Sequence, residues 1–520
     1  MNEDLYAKNQ IEKSIRELSL SLENTFNESG QAPRIVQILK SIITSPRMID
    51  DLAELYRIKP ESVVSKLIEI GLLTAERRSN LKKSAQASGA YKEYTAELPQ
   101  GISLDMRPSL FDLDDNAFQM SAVTLSQEWV DAVQLIRGPD AFLSYYRLNI
   151  YSYINYFRAE LAPKINKFIS KHFPNGFDYL VTVGIGANEQ FWHYPRAWYA
   201  NEKLTPSWFI CDNPKDISVL PLDATTDNTL FLEFSRSGKT QETVKFHEFL
   251  TDEAKVIVFA NTGPLKQIAQ KNPDRNLSLP FPDSIPGRYG KNLTPLIVAP
   301  FEILQLPVDD YWETIFECIS RWDPTNELSP PSAMARFVRQ MQIARGVNHI
   351  YLGCNDIILR ESCAELVQFW NEGVAKSKND ILISHYLGLP RDSHFNIEGL
   401  LGNSPNKMGI FLFRRNGDDA FRHPLRRSQI QPLNTKHQSL TVADVDYALA
   451  RANADHFSKC MPTIILEIEK PSLMHSAVLS QLWADFTYCY ACLVRLNPGS
   501  NPEVRLVRDR SDELLAKFVR

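Results

Sequence analysis

The spacing of apolar positions divides the chain into two unlike parts. Up to about residue 105 apolar residues recur every three or four positions, at 35–43 and again at 49–71. That is the period of amphipathic helices, and it predicts a helical N-terminal segment over 1–105. The stretch 77–92 (RRSNLKKSAQASGAYK) is polar and basic and reads as a loop. Beyond residue 141 helical patterns alternate with short β-branched runs, at 179–183 (YLVTV), 208–211 (WFIC), 229–234 (TLFLEF) and 255–260 (KVIVFA). A second series follows at 349–353 (HIYLG), 381–385 (ILISH), 408–413 (MGIFLF) and 463–468 (TIILEI). Between the two series lie a Pro- and Asp-rich stretch at 306–331 and a helical run, ARFVRQMQIARG, at 335–346. Continuous apolar runs alternating with helices predict an α/β protein whose parallel strands are buried on both faces. The expected division is a helical segment at 1–105, one doubly wound domain at 106–320 and a second at 321–520 with a C-terminal helical tail.

Composition narrows the classes of partner. A length of 520 residues exceeds one ordinary core, and a net charge of −5 argues against a protein built around nucleic acid. No run of about 18 uncharged apolar residues predicts a membrane span, and the N-terminus has no apolar signal core. Seven scattered cysteines point to a reducing cytoplasm rather than a disulfide framework. Cys489 and Cys492 have CxxC spacing, but their setting, WADFTYCYACLV, reads as a buried helix. His385, His423, His437 and His456 lack metal-ligand spacing, so no metal is expected. The segment FRRNGDDAFRHPLRR reads as an exposed basic loop between strands.

Two strand-to-helix loops carry candidate chemistry. In TLFLEF-SRSGKTQETV, Ser235, Ser237, Thr240 and Thr243 place four hydroxyls within nine residues, beside Gly238 and Lys239. A helix starting there would aim its first amides and the positive end of its dipole at the loop, which suits a phosphate. The plainer alternative is that these hydroxyls only cap the helix. The loop VTVGIGANEQF has Gly184 and Gly186, which allow a ligand close to the backbone but also occur in ordinary tight turns.

Taken together, these loops resemble the sugar-isomerase (SIS) domains of the phosphoglucose isomerase family. Where that family has GIGGS, this chain has GIGAN, placing Gly184, Gly186 and Asn188. Its SKTFTTQET is matched by SRSGKTQET at 235–243, and its GGRYS by PGRYGKN, placing Arg288. Its ESNGK is matched by EGVAK, placing Glu372 and Lys376, and a histidine segment by RDSHFNIEGLLG, placing His394. Its C-terminal QPGVELGK is matched by NPEVRLVR, with Arg508 where the family has lysine. The six segments keep their order and approximate spacing over residues 142–510.

The resemblance implies two SIS-type doubly wound domains and a phosphosugar aldose–ketose isomerase, glucose 6-phosphate to fructose 6-phosphate being the family's reaction. Glu372 would be the base, its apolar run LVQFWNEG favouring a raised pKa; the plainer reading is a solvated helix-end Glu paired with Lys376. Arg288 would stabilise the enediolate, and His394, contributed across a homodimer interface, would open the ring. Arg508 donates hydrogen bonds but is a poor proton shuttle. Gly184, Gly186, Asn188, Ser235, Ser237, Lys239, Thr240 and Thr243 would bind the substrate, with no cofactor or metal. Arg508, Asn188 and the N-terminal segment leave open a noncatalytic sugar-phosphate-binding regulator. Residues 48–73 resemble a winged helix-turn-helix, yet its second helix mixes Glu61 and Glu69 with Lys66. Nucleic-acid binding through 35–95 is therefore the lesser alternative to a packing arm.

Overall fold

A computed structural model describes residues 94–108, 115–137, 154–185, 187–281, 295–376, 381–389, 406–415, 442–498 and isolated positions from 510 onward. The helix-turn-helix stretch and most of the basic FRRNGDDAFRHPLRR segment lie outside the described residues.

The first described element is a hairpin, β1 (Tyr94–Leu98) and β2 (Ile102–Arg107). This corrects the helical reading of residues 94–105. Ile102, Leu104 and Met106 are buried in strict alternation, the two-residue period of a strand. Gln100 and Gly101 close the turn with φ of 63° and 71°. Helix α1 (Asp115–Arg137) follows, then α2 (Ala162–His172), which is entered through a π-helical turn at Phe157–Leu161.

Five parallel strands then form one sheet: β3 (Tyr179–Val183), β4 (Ser207–Cys211), β5 (Thr229–Phe234), β6 (Lys255–Phe259) and β7 (Asn276–Leu279), in the order β4-β3-β5-β6-β7. Helices α3 (Ala187–Asn201), α4 (Gln241–Phe249) and α5 (Gly263–Lys271) connect them. All six residues of β5 are buried, as expected of a central strand covered on both faces.

The link to the second sheet is helical. It comprises α6 (Pro295–Ile303), α7 (Val308–Arg321) and α8 (Pro330–Arg345). Within the Pro- and Asp-rich stretch 306–331, Pro307 is the N-cap of α7 and Asp309 and Asp310 lie in its first turn. Its inner face, including Tyr311, Trp312 and Ile315, is buried. The second sheet contains β8 (His349–Cys354), β9 (Leu382–Gly388), β10 (Lys407–Arg414) and β11 (Thr463–Ile468), with α9 (Ile357–Gly373) after β8 and α10 (Val442–Cys460) before β11. Its order is β1-β2-β11-β10-β8-β9; β11, β10, β8 and β9 run parallel, and β2 joins antiparallel to β11.

Helix α11 (Leu473–Leu493) is buried on nearly every face, Cys489 and Cys492 included. Trp370 of α9 packs on Phe486 and Tyr490 of α11, with ring centroids 5.1 and 4.7 Å apart. One continuous apolar core runs from β3 and β5 through α3 and α9 to α11. The α/β fold expected from the sequence, parallel sheets flanked by helices, is the one observed. Among the described residues no helix is long and apolar enough to cross a membrane.

Candidate active site

In the first sheet the chain runs outward from β3 to β4 on one side and from β5 to β7 on the other. The strand order therefore switches between β3 and β5, and loops leaving the C-terminal ends of two such strands diverge to open a crevice. The GIGAN loop leaves β3 there and the SRSGKTQET loop leaves β5, so the topology brings together segments lying about 50 residues apart in sequence. Gly184 is buried, and its N–H donates to the Cys211 carbonyl at 3.2 Å. Gly186 and the Asn188 side chain lie outside the described residues, although α3 begins at Ala187.

The β5–α4 loop is held by its own polar groups. Gly238 N–H donates to the Ser235 carbonyl at 2.8 Å, closing a turn with Gly238 at φ 60°. Ser235 Oγ lies 2.9 Å from Thr240 Oγ1, and Ser237 Oγ accepts from Lys239 N at 3.3 Å. Because Thr240 Oγ1 turns to Ser235, the N-cap residue of α4 gives that helix no side-chain cap. Thr240 therefore does not cap α4 through its side chain; Ser235 Oγ accepts from the Thr240 N–H at 3.5 Å instead. Ser237 and Lys239 are exposed on the rim, Thr240 is half-buried, and Ser235 and Thr243 are buried.

A second loop braces the first from behind. Asn261 N donates to the Arg236 carbonyl at 3.2 Å, Leu265 N to the Gly238 carbonyl at 3.1 Å, and Thr262 Oγ1 to the Ser237 carbonyl at 3.1 Å. A Cβ on Gly238 would stand 1.9 Å from the Thr262 carbonyl oxygen, and one on Gly263 would stand 2.5 Å from that of Ser237. Only residues without a Cβ let these two backbones come so close.

Glu372 comes from the other sheet. Phe191 of α3 meets Phe369 of α9 edge-on at 5.6 Å, while His193, further along α3, faces Glu361, an earlier residue of α9, at 3.9 Å. The helices thus run antiparallel, which sets the start of α3, with its glycine loop, against the end of α9, with Glu372. Glu372 is half-buried, whereas Phe369 and Trp370 beside it are in the core. Gln368 Nε2, one turn earlier, donates to Glu372 Oε1 at 2.9 Å. Lys376 donates to the Asn497 carbonyl at 2.5 Å, tying the Glu372 end to the start of the C-terminal segment.

A groove of about 550 Å³ lies along the first two-thirds of α9, lined by Gln190, Arg360, Glu361, Ala364, Val367 and Gln368. Gln368 and Gln190 were not singled out from the sequence. The i,i+4 spacing of Gln368 to Glu372 was the available signal. A cavity of about 670 Å³ opens between α2 and α7, around Arg158 stacked on Trp312, but it shares no residue with either loop. Arg288, His394 and Arg508 lie outside the described residues.

The parallel part of the second sheet repeats the strand order, switching between β8 and β10. There the described residues hold an internal ion pair. Asp356 Oδ1 accepts from Ile358 N and Leu359 N at the start of α9, and its Oδ2 accepts from the buried Arg414 at 3.0 Å.

No protein-family model matches the sequence, and no curated protein matches it. Among solved structures, a glucose-6-phosphate isomerase from Chlamydia trachomatis aligns at a TM-score of 0.63 and 13% identity, covering 86% of this chain and 96% of that one. A protein of Thermus thermophilus described only as hypothetical aligns at 0.61 and 17% identity, covering 79% of this chain and all of that one. At such identities the likeness is one of fold: the chain has the two-sheet α/β architecture seen in a glucose-6-phosphate isomerase.

Proposed function

We propose that the chain binds a sugar phosphate in the crevice between β3 and β5 and isomerises it between aldose and ketose, with Glu372 as the base. One observation carries this reading: a braced hydroxyl loop at an uncapped helix start, at the strand-order switch of the first sheet, with a hydrogen-bonded carboxylate delivered to the adjoining helix end. The β5–α4 loop and the first amides of α4 take the phosphate, with Lys239 on the rim adding charge. The two glycine residues of the GIGAN loop let the sugar lie against the backbone. Gln368 donates to Oε1 of Glu372 and orients the carboxylate, which removes the proton from the carbon next to the carbonyl and returns it to the neighbouring carbon.

An enediolate forms between the two transfers and needs positive charge at its oxygens. Arg288 supplies it, and His394 of a second copy opens the ring, both assigned by the family resemblance. Arg508 orients the ring oxygen without carrying a proton, since a guanidinium stays charged. Glucose 6-phosphate and fructose 6-phosphate are the proposed pair, a homodimer the proposed form, and the division at 105 and 320 the proposed domain plan. Among the described residues, which include all seven cysteines, no disulfide forms, consistent with a cytoplasmic setting.

A coupled assay of glucose 6-phosphate formation from fructose 6-phosphate tests the reading. Turnover is expected, falling on the order of a thousandfold or more in Glu372→Gln while KM changes little. Arginine at 508 favours one rival, a noncatalytic sugar-phosphate binder. That rival predicts tight binding with no turnover for any phosphosugar tried.

A further inference from the structure

Behind the phosphate loop lies a polar pair that the mechanism above does not use. Glu233 is the penultimate residue of the otherwise apolar strand β5, fully buried, two residues before Ser235. His247 is on α4, 2% exposed, one helical turn after Thr243. Its Nδ1 lies 2.7 Å from Glu233 Oε2, the imidazole N–H donating to the carboxylate. The other carboxylate oxygen, Oε1, is buried without a hydrogen bond. Burial raises the carboxyl pKa, opposed by the His247 hydrogen bond and by the charge of nearby Arg275. Arg275 is itself buried, with one bond to Asp252 at 3.2 Å and two of its nitrogens unpartnered.

The surrounding packing is otherwise apolar, between Val181, Phe231, Val244, Phe246, Val256 and Val258. Such contacts attract without fixing direction or register. Replacing a buried charged pair by apolar residues of similar size is commonly neutral or stabilising. Stability alone therefore does not account for Glu233 and His247. What the bond adds is geometry: it closes a fourteen-residue span, from the end of β5 through the whole phosphate loop and into α4, at a fixed distance.

We propose that His247 is a positioning residue, whose hydrogen bond to Glu233 sets how α4 leaves β5 and so holds the phosphate-gripping loop and the first amides of α4 in register. This rests on the phosphate reading of the loop, but its test does not. The key variant is the double replacement Glu233→Leu/His247→Leu in the full-length chain, with His247→Asn as the conservative single change, since an Asn amide can donate from nearly the Nδ1 position.

Hydrogen–deuterium exchange of the ligand-free proteins reads loop order directly. The double variant is expected to keep or raise the melting temperature while amides 235–243 exchange at least several-fold faster, with β3 and β6 unchanged. His247→Asn is expected to keep the wild-type rates. Inorganic phosphate binding, measured by calorimetry, is expected to weaken on the order of tenfold in the double variant alone. If a folded double variant keeps the wild-type exchange rates at 235–243, the proposal is overturned, whatever phosphate does. If the wild type binds no phosphate, the function proposed above fails, and the exchange comparison still decides the role of His247.

Discussion

Glu365 makes the most quantitative test of how α9 is held. It lies on α9 seven residues before Glu372, buried against α11, where Ser480 Oγ donates to its Oε1. Burial pushes its carboxyl up to about 8, only partly offset by the Ser480 hydrogen bond. The folded state therefore holds this proton more tightly than the unfolded chain, whose Glu ionises near 4.5. For an acid shifted upward, stability is full below the unfolded value and falls as pH rises towards the folded one. From those two values the group costs about 1 kcal/mol at pH 5 and about 4 kcal/mol at pH 8. Glu365→Gln keeps an acceptor for Ser480 and removes the titration. Its stability relative to wild type should thus rise by about 3–4 kcal/mol between pH 5 and pH 8. Urea unfolding followed by tryptophan fluorescence at several pH values measures this, since Trp370 and Trp483 are buried nearby. Parallel pH profiles for the two proteins would show that Glu365 is not held protonated and would refute the reasoning.

Two substitutions test the site itself. Gly238→Ala combines a left-handed φ of 60° with a Cβ 1.9 Å from the Thr262 carbonyl oxygen, so the two braced loops must part. It should cost at least about 2 kcal/mol and abolish measurable phosphate binding. Gly101→Ala is its control: φ is 71°, but nothing stands within 4 Å of the new Cβ, so only the backbone strain of about 1 kcal/mol remains and phosphate affinity is unchanged. Gln368→Leu removes the donor to Glu372 and should lower kcat on the order of tenfold with little effect on KM, read in the coupled assay.

Strands β3, β5 and β11 were legible to the residue because strands buried on both faces leave an unbroken apolar run. The strand β7, Asn276–Leu279, was not, since four residues with Asn and Ser among them carry no pattern. The β1–β2 hairpin was missed because its alternation is short and adjoins a long helical pattern. The phosphate loop was visible as hydroxyl and glycine chemistry, yet the sequence did not reveal that Gly238 rests on Gly263. The Glu233–His247 pair was invisible for a similar reason: a buried Glu in an apolar strand reads as an oddity until the fold supplies its partner. Glu372 was marked by its motif, but its expected apolar enclosure was not found, because the side chain lies on the half-buried face of α9 beside Gln368.

The central claim is that a carbon-bound proton is exchanged at Glu372. Proton NMR of fructose 6-phosphate incubated with the protein in deuterium oxide reads that event, even where net conversion is slow. The account predicts deuterium at C1 of the ketose and C2 of the glucose 6-phosphate formed, lost in Glu372→Gln while phosphate binding persists. Tight phosphate binding by the wild type, with no deuterium entering fructose 6-phosphate or any other ketose phosphate supplied, would contradict it.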